Sequence, residues 1–119
     1  MKDYLQIVKH PNQLSIIFNV EDEKVMEIGE KMNEINEEAY MNGYNWEAFL
    51  NHYLAKNHPE LMEGMDSDPE AGTFVALYAL NPENEEKANK LVEVIEGLIE
   101  NEAKLYLLVE EEGNDIEWD

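Results

Sequence analysis

The stretch Leu14-Ser15-Ile16-Ile17-Phe18-Asn19-Val20 decides the fold. Each of its even-numbered residues is apolar, and a period of two places them together on one face of a half-buried β-strand. Residues 4–9 predict a partner strand. The intervening His-Pro-Asn-Gln of residues 10–13 supplies turn chemistry, because proline presets φ and asparagine tolerates unusual backbone angles. We therefore predict an N-terminal β-hairpin.

A second hairpin is predicted further along the chain. Residues 73–80, Thr-Phe-Val-Ala-Leu-Tyr-Ala-Leu, are apolar on both faces, which is typical of a central strand. Residues 61–68 predict a weaker partner at the edge of the sheet. The segment Pro69-Glu70-Ala71-Gly72 would form the turn between them.

Two helices are predicted between the hairpins. From Glu21 to about Met41, apolar residues recur at spacings of three and four, the pattern of an amphipathic helix. Gly43 is predicted to end that helix in a left-handed conformation. Asn45 is predicted to cap the next helix, with Tyr44 and Phe49 packing together around its start. Residues 57–59, Asn-His-Pro, should end this second helix.

Two more helical segments follow the second hairpin. Asn81-Pro82-Glu83 is a strong helix start, because asparagine can cap and proline is preorganised for the first helical position. A further helical turn or two is predicted around Leu105, approaching Gly113. The buried stripe of the longer segment is predicted to be Ala88, Leu91, Val92, Ile95, Leu98 and Ile99.

These elements predict an α+β fold in which two β-hairpins form one antiparallel sheet packed by amphipathic helices. The order is ββαα-ββαα, which hints at two similar halves. A length of 119 residues suits a single domain spanning 1–119.

The charge balance excludes several classes of partner. The chain carries 28 Asp and Glu against 8 Lys and no Arg, a formal net charge of -20. Phosphate recognition needs cations, so we expect no nucleic-acid partner. No apolar run reaches the ~18 residues of a membrane span, so we expect no membrane association and a cytoplasmic location. Cysteine is absent, which removes disulfides and thiolate chemistry.

The acidity itself has two interpretations. Glutamates opposite the apolar stripe of the first predicted helix would form a ladder of carboxylates at helical spacing, at a small cost in repulsion. Such a face either keeps the protein soluble or steers a cationic partner. Tyr40 and Tyr44 flank the end of this ladder, and tyrosine beside carboxylate is typical of protein interfaces. The predicted partner-binding residues are Glu30, Glu34, Glu37, Glu38, Tyr40 and Tyr44. The helix from Glu83 and the segment 110–119 are alternative acidic faces.

Catalytic motifs are missing. Neither serine lies in a nucleophile elbow, and there is no glycine-rich phosphate loop. His52 and His58 lack the spacing of a helical zinc pair. Residues 66–70, Asp-Ser-Asp-Pro-Glu, resemble the start of a calcium loop but lack its glycine and its final glutamate. We therefore expect no enzymatic activity, no cofactor and no metal.

One stretch carries a family resemblance. Asn42-Gly43-Tyr44-Asn45-Trp46-Glu47-Ala48-Phe49-Leu50, followed by Tyr53-Leu54, His58-Pro59-Glu60, Asp68-Pro69-Glu70-Ala71-Gly72 and Ile116-Glu117-Trp118, resembles the bacterial immunity protein 51 family. Members are encoded beside polymorphic or contact-dependent toxins. The resemblance covers nearly the whole chain and implies a small cytosolic protein that binds and neutralises one cognate toxin. It implies no catalytic residues.

The leading hypothesis is a non-catalytic antitoxin for a basic, nuclease-type toxin, bound through the acidic surface. The alternative is a generic acidic interaction module or a metal-dependent regulatory module. The sequence does not fix the oligomeric state.

Overall fold

The Leu14–Val20 stretch lies at the centre of the structure. The computed structural model describes all 119 residues. Its first strands, β1 (Leu5–Lys9) and β2 (Gln13–Asn19), form the predicted hairpin, with Ile7 opposite Ile16 and Leu5 opposite Phe18. The alternating residues Leu14, Ile16 and Phe18 are completely buried. The period of two therefore predicted the strand and its buried face correctly.

Two further strands complete an antiparallel sheet of order β1-β2-β4-β3. Strand β4 (Thr73–Ala79) pairs with the free side of β2 and is central, as predicted. Strand β3 is only Asp66–Ser67, so the prediction of a strand over 61–68 was wrong for most of its length. Pro59–Leu61 instead forms a 3₁₀ turn, and Gly64 adopts a φ of 75°. Both features bend the chain away from an extended conformation.

Four α-helices follow the hairpins in pairs, which confirms the α+β class and the ββαα-ββαα order. They are α1 (Glu23–Ile35), α2 (Gly43–Asn57), α3 (Pro82–Glu100) and α4 (Glu102–Glu112). The side chains of Asp22, Asn42 and Asn81 cap the first three by accepting hydrogen bonds from backbone N–H groups. Asn101 leaves helical geometry at φ -123° and ψ 69°, which separates α4 from α3. Helix α4 has 11 residues and is longer than the predicted turn or two. No helix is both long enough and apolar enough to span a membrane.

The helices cover one face of the sheet and form a single apolar core. Twenty-eight buried residues belong to it, including the whole predicted stripe of α3 and the apolar face of α2. Trp46 of α2 packs edge-on against Phe18 of β2, with ring centroids 5.1 Å apart, and against Phe49 at 5.9 Å. Aromatic pairs in this geometry add to the stabilisation that area burial provides. Trp46 therefore connects the first helical pair to the sheet.

Helix α1 ends six residues before the predicted end at Met41. Asn36 is extended, with φ -140° and ψ 114°, and its side-chain oxygen accepts a hydrogen bond from the Glu38 N–H at 3.0 Å. Asparagine side chains compete with helical hydrogen bonds in this way. Residues 36–42 therefore form a turn, which we call the α1–α2 turn. Ile35, predicted to be on the buried stripe, is 41% exposed.

The start of α2 differs from the prediction at three residues. Asn42, not Asn45, is the N-cap, and its side chain accepts the Asn45 N–H at 2.9 Å. Gly43 is the first helical residue and has no positive φ, so it is not a left-handed cap. A Cβ at Gly43 would collide with the carbonyl oxygens of Glu70 and Thr73, and the Gly43 N–H donates to Ala71 O at 2.9 Å. Tyr44 is exposed while Phe49 is buried, so the predicted packing of this pair is absent.

We expect Gly43→Ala to lower the free energy of unfolding by about 1–3 kcal/mol or more, because the added methyl group forces α2 away from the β3–β4 turn. Gly97→Ala is the matched control. A Cβ at Gly97, inside α3, meets no atom within 4 Å, so this change should raise the free energy of unfolding by about 0.4–1 kcal/mol. Urea unfolding measures both values. Equal effects of the two changes would contradict the close approach at Gly43.

Candidate functional site

The eight lysines are all engaged within the chain. Six form ion pairs with carboxylates, Lys87 donates to Glu63 O, and Lys104 donates to the Tyr53 hydroxyl. Together with two histidine pairs, the ion pairs involve the carboxylates of six of the 28 acidic residues. Exposed pairs of this kind contribute little stability individually. Their main consequence is that 22 carboxylates have no ion-pair partner in the chain.

The six residues predicted to bind a partner are all exposed, but they do not form one ladder. Glu30 and Glu34 lie on α1, whereas Glu37, Glu38 and Tyr40 lie in the α1–α2 turn. Tyr44 lies in the first turn of α2. The prediction of a continuous helical ladder was wrong, because Asn36 ends the helix between Glu34 and Glu37.

Glu30 and Tyr40 come together in a shallow groove of about 290 Å³, shared with Met26, Met41, Asn33 and Gly29. Tyr40 is 70% exposed and Met26 is 49% exposed. Gly29 allows the turn to lie close to α1, since a Cβ there would be 3.0 Å from Met41 Cβ. We call this hollow the Tyr40 groove. It combines an aromatic ring, two thioethers and one carboxylate.

Glu37 and Glu38 line a second hollow, of about 320 Å³, against the end of α4. Ile35 and Val109 contribute apolar surface, and Glu110 adds a third carboxylate. Gly113 makes this approach possible, because a Cβ there would lie 2.7 Å from Asn36 Nδ2. The turn and the end of α4, far apart in sequence, therefore form one acidic hollow.

Tyr44 lies in a third and larger hollow, of about 640 Å³, between α2 and the C-terminal segment. We call it the tail cleft. Its carboxylates are Glu47, Asp115, Glu117 and Asp119, and its other lining residues are Tyr44, Ala48, Asn51, His52 and Trp118. Glu47 was absent from the predicted site. Its exposure on α2 could be predicted from helical spacing, but its position opposite residues 115–119 depends on the tertiary fold.

All three hollows are lined by residues of the segment 35–44. Together they present eight carboxylates and no lysine, and none of these carboxylates makes an ion pair. We call their combined surface the acidic surface. Its carboxylates are Glu30, Glu37, Glu38, Glu47, Glu110, Asp115, Glu117 and Asp119.

Asn45 connects two parts of the acidic surface. Its side-chain amide donates to Tyr40 O at 2.7 Å, and its side-chain oxygen accepts the Asp119 N–H at 2.6 Å. The residue is only 3% exposed, so these hydrogen bonds are shielded from water. Trp118 adds a further bond, from its indole N–H to Gly113 O at 2.9 Å. One buried amide thus holds the α1–α2 turn and the C-terminal segment in a fixed relation.

Glu112 secures α4 to α2 beside the tail cleft. Its Oε1 lies 2.9 Å from His52 Nε2 and 3.0 Å from Lys56 Nζ. The hydrogen bond from His52 is the largest cause that lowers the pKa of the Glu112 carboxyl below its ordinary value, and the hydrogen bond from Lys56 is the second. Glu112 is therefore paired with cations within the chain, whereas the carboxylates of the acidic surface have no ion-pair partner and only Glu47 accepts a side-chain hydrogen bond, from the Ser67 hydroxyl.

The acidic surface offers binding chemistry. The structure brings no three His, Asp or Glu side chains into an arrangement that could hold a metal ion. The acidic residues at 66 and 68 lie on β3 and the turn after it, where the Asp68 N–H donates to Val75 O at 2.9 Å. Carboxylates around exposed tyrosines suit a cationic protein surface, with aromatic anchors inside a charged rim.

We expect Asn45→Ala to lower the free energy of unfolding by about 1–3 kcal/mol, because it leaves the Asp119 N–H without a partner and removes one of the two hydrogen bonds to Tyr40 O. Hydrogen exchange should show the Asp119 amide losing protection. Asn51→Ala, on the same helix, serves as the control. It should leave stability unchanged or slightly raised, since alanine favours a helix. Unchanged exchange at Asp119 in Asn45→Ala would contradict the connection.

We expect Glu112→Gln to lower the melting temperature at pH 7 and to have a smaller effect at pH 3. A carboxylate whose folded pKa lies below its unfolded value of about 4.3 stabilises the fold above that pH, and the contribution is lost as the pH falls through the folded pKa. Glu111→Gln is the control, because it removes the same charge from an exposed neighbour. An equal drop at both pH values would contradict this assignment.

Comparison with known proteins gives one match. The family model described as Immunity protein 51 matches residues 5–114, which is most of the chain and includes all four strands and helices. No curated protein and no solved structure matches the chain. The match agrees with the resemblance carried by the Asn42–Leu50 stretch, which the structure places at the junction of α2, the sheet and the acidic surface. The chain therefore belongs to the immunity protein 51 family.

Proposed function

We propose that this protein is a non-catalytic antitoxin that acts in the cytoplasm and neutralises a basic toxin domain by binding it through the acidic surface. The observation that carries the proposal is the set of eight carboxylates without ion-pair partners, placed around Tyr40 and Tyr44 in a member of an immunity family. Lysines are absent from this surface, so a cationic partner meets no local repulsion from them.

The charge distribution supports fast recognition. A surface of one sign attracts an oppositely charged partner and can raise the association rate above the ~10⁵–10⁶ M⁻¹s⁻¹ of unsteered protein pairs. Rapid capture suits an antitoxin, because the toxin must be bound before it damages the cell. A nuclease-type toxin fits this chemistry, since a cleft that binds phosphates is itself cationic.

The exposed tyrosines support affinity and specificity. Backbone hydrogen bonds hold the α1–α2 turn on both sides of Tyr40, from its N–H to Glu38 O and from the Asn42 N–H to its carbonyl, each at 2.9 Å. Asn45 adds the third contact to the same carbonyl. A side chain on a turn that is already ordered loses less conformational entropy on binding. Tyr40 is therefore our proposed anchor, and Tyr44 is a second contact at the tail cleft.

The first test is growth rescue. Co-expression with the toxin domain encoded by the neighbouring gene should restore growth of the host cell, and purified toxin and antitoxin should form a stable complex. Failure of both results would overturn the proposed function itself.

The second test locates the binding surface. We expect the double change Glu37→Gln and Glu38→Gln to weaken toxin affinity at least about tenfold, or ~1.4 kcal/mol, and Tyr40→Ala to weaken it about thirtyfold. Glu83→Gln with Glu86→Gln is the charge-matched control, since both residues are exposed and unpaired on α3. Isothermal titration measures each affinity. Equal losses in the two double variants would mean that net charge, and not this surface, determines binding.

The third test is salt dependence. Raising the ionic strength from about 0.01 M to 0.15 M shortens the Debye length from ~30 Å to ~8 Å, so the association rate should fall steeply. Stopped-flow mixing measures that rate. A rate that does not change with salt would exclude electrostatic steering as the mechanism.

A further inference from the structure

The sheet has a second face that the helices do not cover. The strand register places ten side chains of β1, β2 and β4 on it, and Asp66 of β3 adjoins them at the edge. The ten are Gln6, Val8, Gln13, Ser15, Ile17, Asn19, Thr73, Val75, Leu77 and Ala79. We call this the open sheet face. None of these ten residues is charged, although the chain carries 28 acidic residues.

The centre of the open sheet face is apolar. Ile17 lies beside Val75, and Leu77 lies two residues along from Val75 on the same strand. Val8 is separated from Leu77 only by the small side chain of Ser15. These four apolar residues are partly exposed, and they belong neither to the core nor to the apolar residues that pack against it. They form a contiguous apolar patch with an amide-rich rim, which is the composition of an interface.

The charge pattern indicates which molecule would bind to the open sheet face. A basic toxin gains nothing electrostatic from an uncharged face, and its attraction is to the acidic surface. Two copies of this chain carry -20 each and repel one another wherever carboxylates meet. The ten residues of the open sheet face bring no carboxylate to such a contact, and Asp66 adjoins them only at the edge, so this is the broad surface where two copies can approach with least repulsion. We propose that it is the interface of a homodimer.

The geometry suits a symmetric pair. A twofold contact uses the same patch on both copies, so Ile17 and Val75 of one copy would pack against the equivalent patch of the other. Two sheets pack face to face about 10 Å apart with their strands roughly aligned, which lets side chains of this size interdigitate. No residue of the acidic surface lies in a strand, so the dimer leaves both copies of that surface free.

The inference goes beyond the proposed function and makes an opposite prediction for salt. Salt screens the repulsion between two anionic copies, so the dimer should become tighter as ionic strength rises. Toxin binding should become weaker over the same range. Sedimentation equilibrium at low and high salt should give a mass of twice 13.8 kDa, with the dimer dissociation constant falling as salt is added.

Two variants test the interface itself. Ile17→Lys places a cation in the centre of the patch and should raise the dimer dissociation constant at least about a hundredfold, which is ~2.7 kcal/mol. Leu107→Lys is the matched control, because Leu107 is an exposed apolar residue on α4 and its replacement changes net charge equally. The control should remain dimeric. Ile17→Thr retains a β-branched residue in the strand and should weaken the dimer to a lesser degree.

Circular dichroism and thermal melting verify that each variant is folded. If Ile17→Lys proved unfolded, Ile17→Thr would decide the matter. A monomer at all concentrations and salts would overturn the proposal, as would a dimer unaffected by a folded change at Ile17. A monomeric wild type whose toxin binding is lost in folded Ile17→Lys would assign this face to the toxin instead. Growth rescue by Leu107→Lys is measured in parallel, so that failure of the antitoxin role is recognised separately.

Discussion

The structure depends on a close backbone approach at Gly43. There the first turn of α2 lies directly against the carbonyl groups of the β3–β4 turn, at a distance that leaves no room for a side chain. This contact fixes where α2 starts relative to the sheet, and so directs Trp46 onto Phe18. It also fixes Asn45, the buried amide that binds both the α1–α2 turn and the C-terminal segment. The core and the acidic surface are therefore aligned by one junction.

The molecule separates its charges from its apolar surfaces in an unusual way. The lysines are used within the chain, mostly on carboxylates of α3 and α4 such as Glu100, which lies within 4 Å of both Lys2 and Lys24. Eight of the 22 unpaired carboxylates lie on the acidic surface around the segment 35–44. The ten residues of the open sheet face carry no charge, and Asp66 adjoins them at the edge. Helical layer and sheet thus present two chemically different exteriors, one suited to a cationic protein and the other to an uncharged, self-complementary contact.

Local patterns were sufficient to predict most of the regular structure. Alternation predicted β2, the run of apolar residues predicted β4, and Asn81-Pro82 predicted the start of α3. The spacing of apolar residues predicted the entire buried stripe of α3. The errors have two causes: a role that depends on a distant partner, and a local side-chain hydrogen bond. A glycine after a helix usually caps it, but the role of Gly43 is set by Glu70 and Thr73. Asn36 ended α1 through a local side-chain hydrogen bond that periodicity does not detect. Because α1 ends there, glutamates of the predicted ladder line two separate hollows. Glu47 was not recognised as part of the tail cleft, because that cleft forms only in the tertiary fold.

The bond between Asn45 and Asp119 joins residues 74 positions apart. Hairpins and helices can form without this bond, whereas the tail cleft needs both ends of that long loop to be in place, and closing a long loop costs conformational entropy. Local unfolding of residues 113–119 would therefore open the tail cleft while the sheet stays intact.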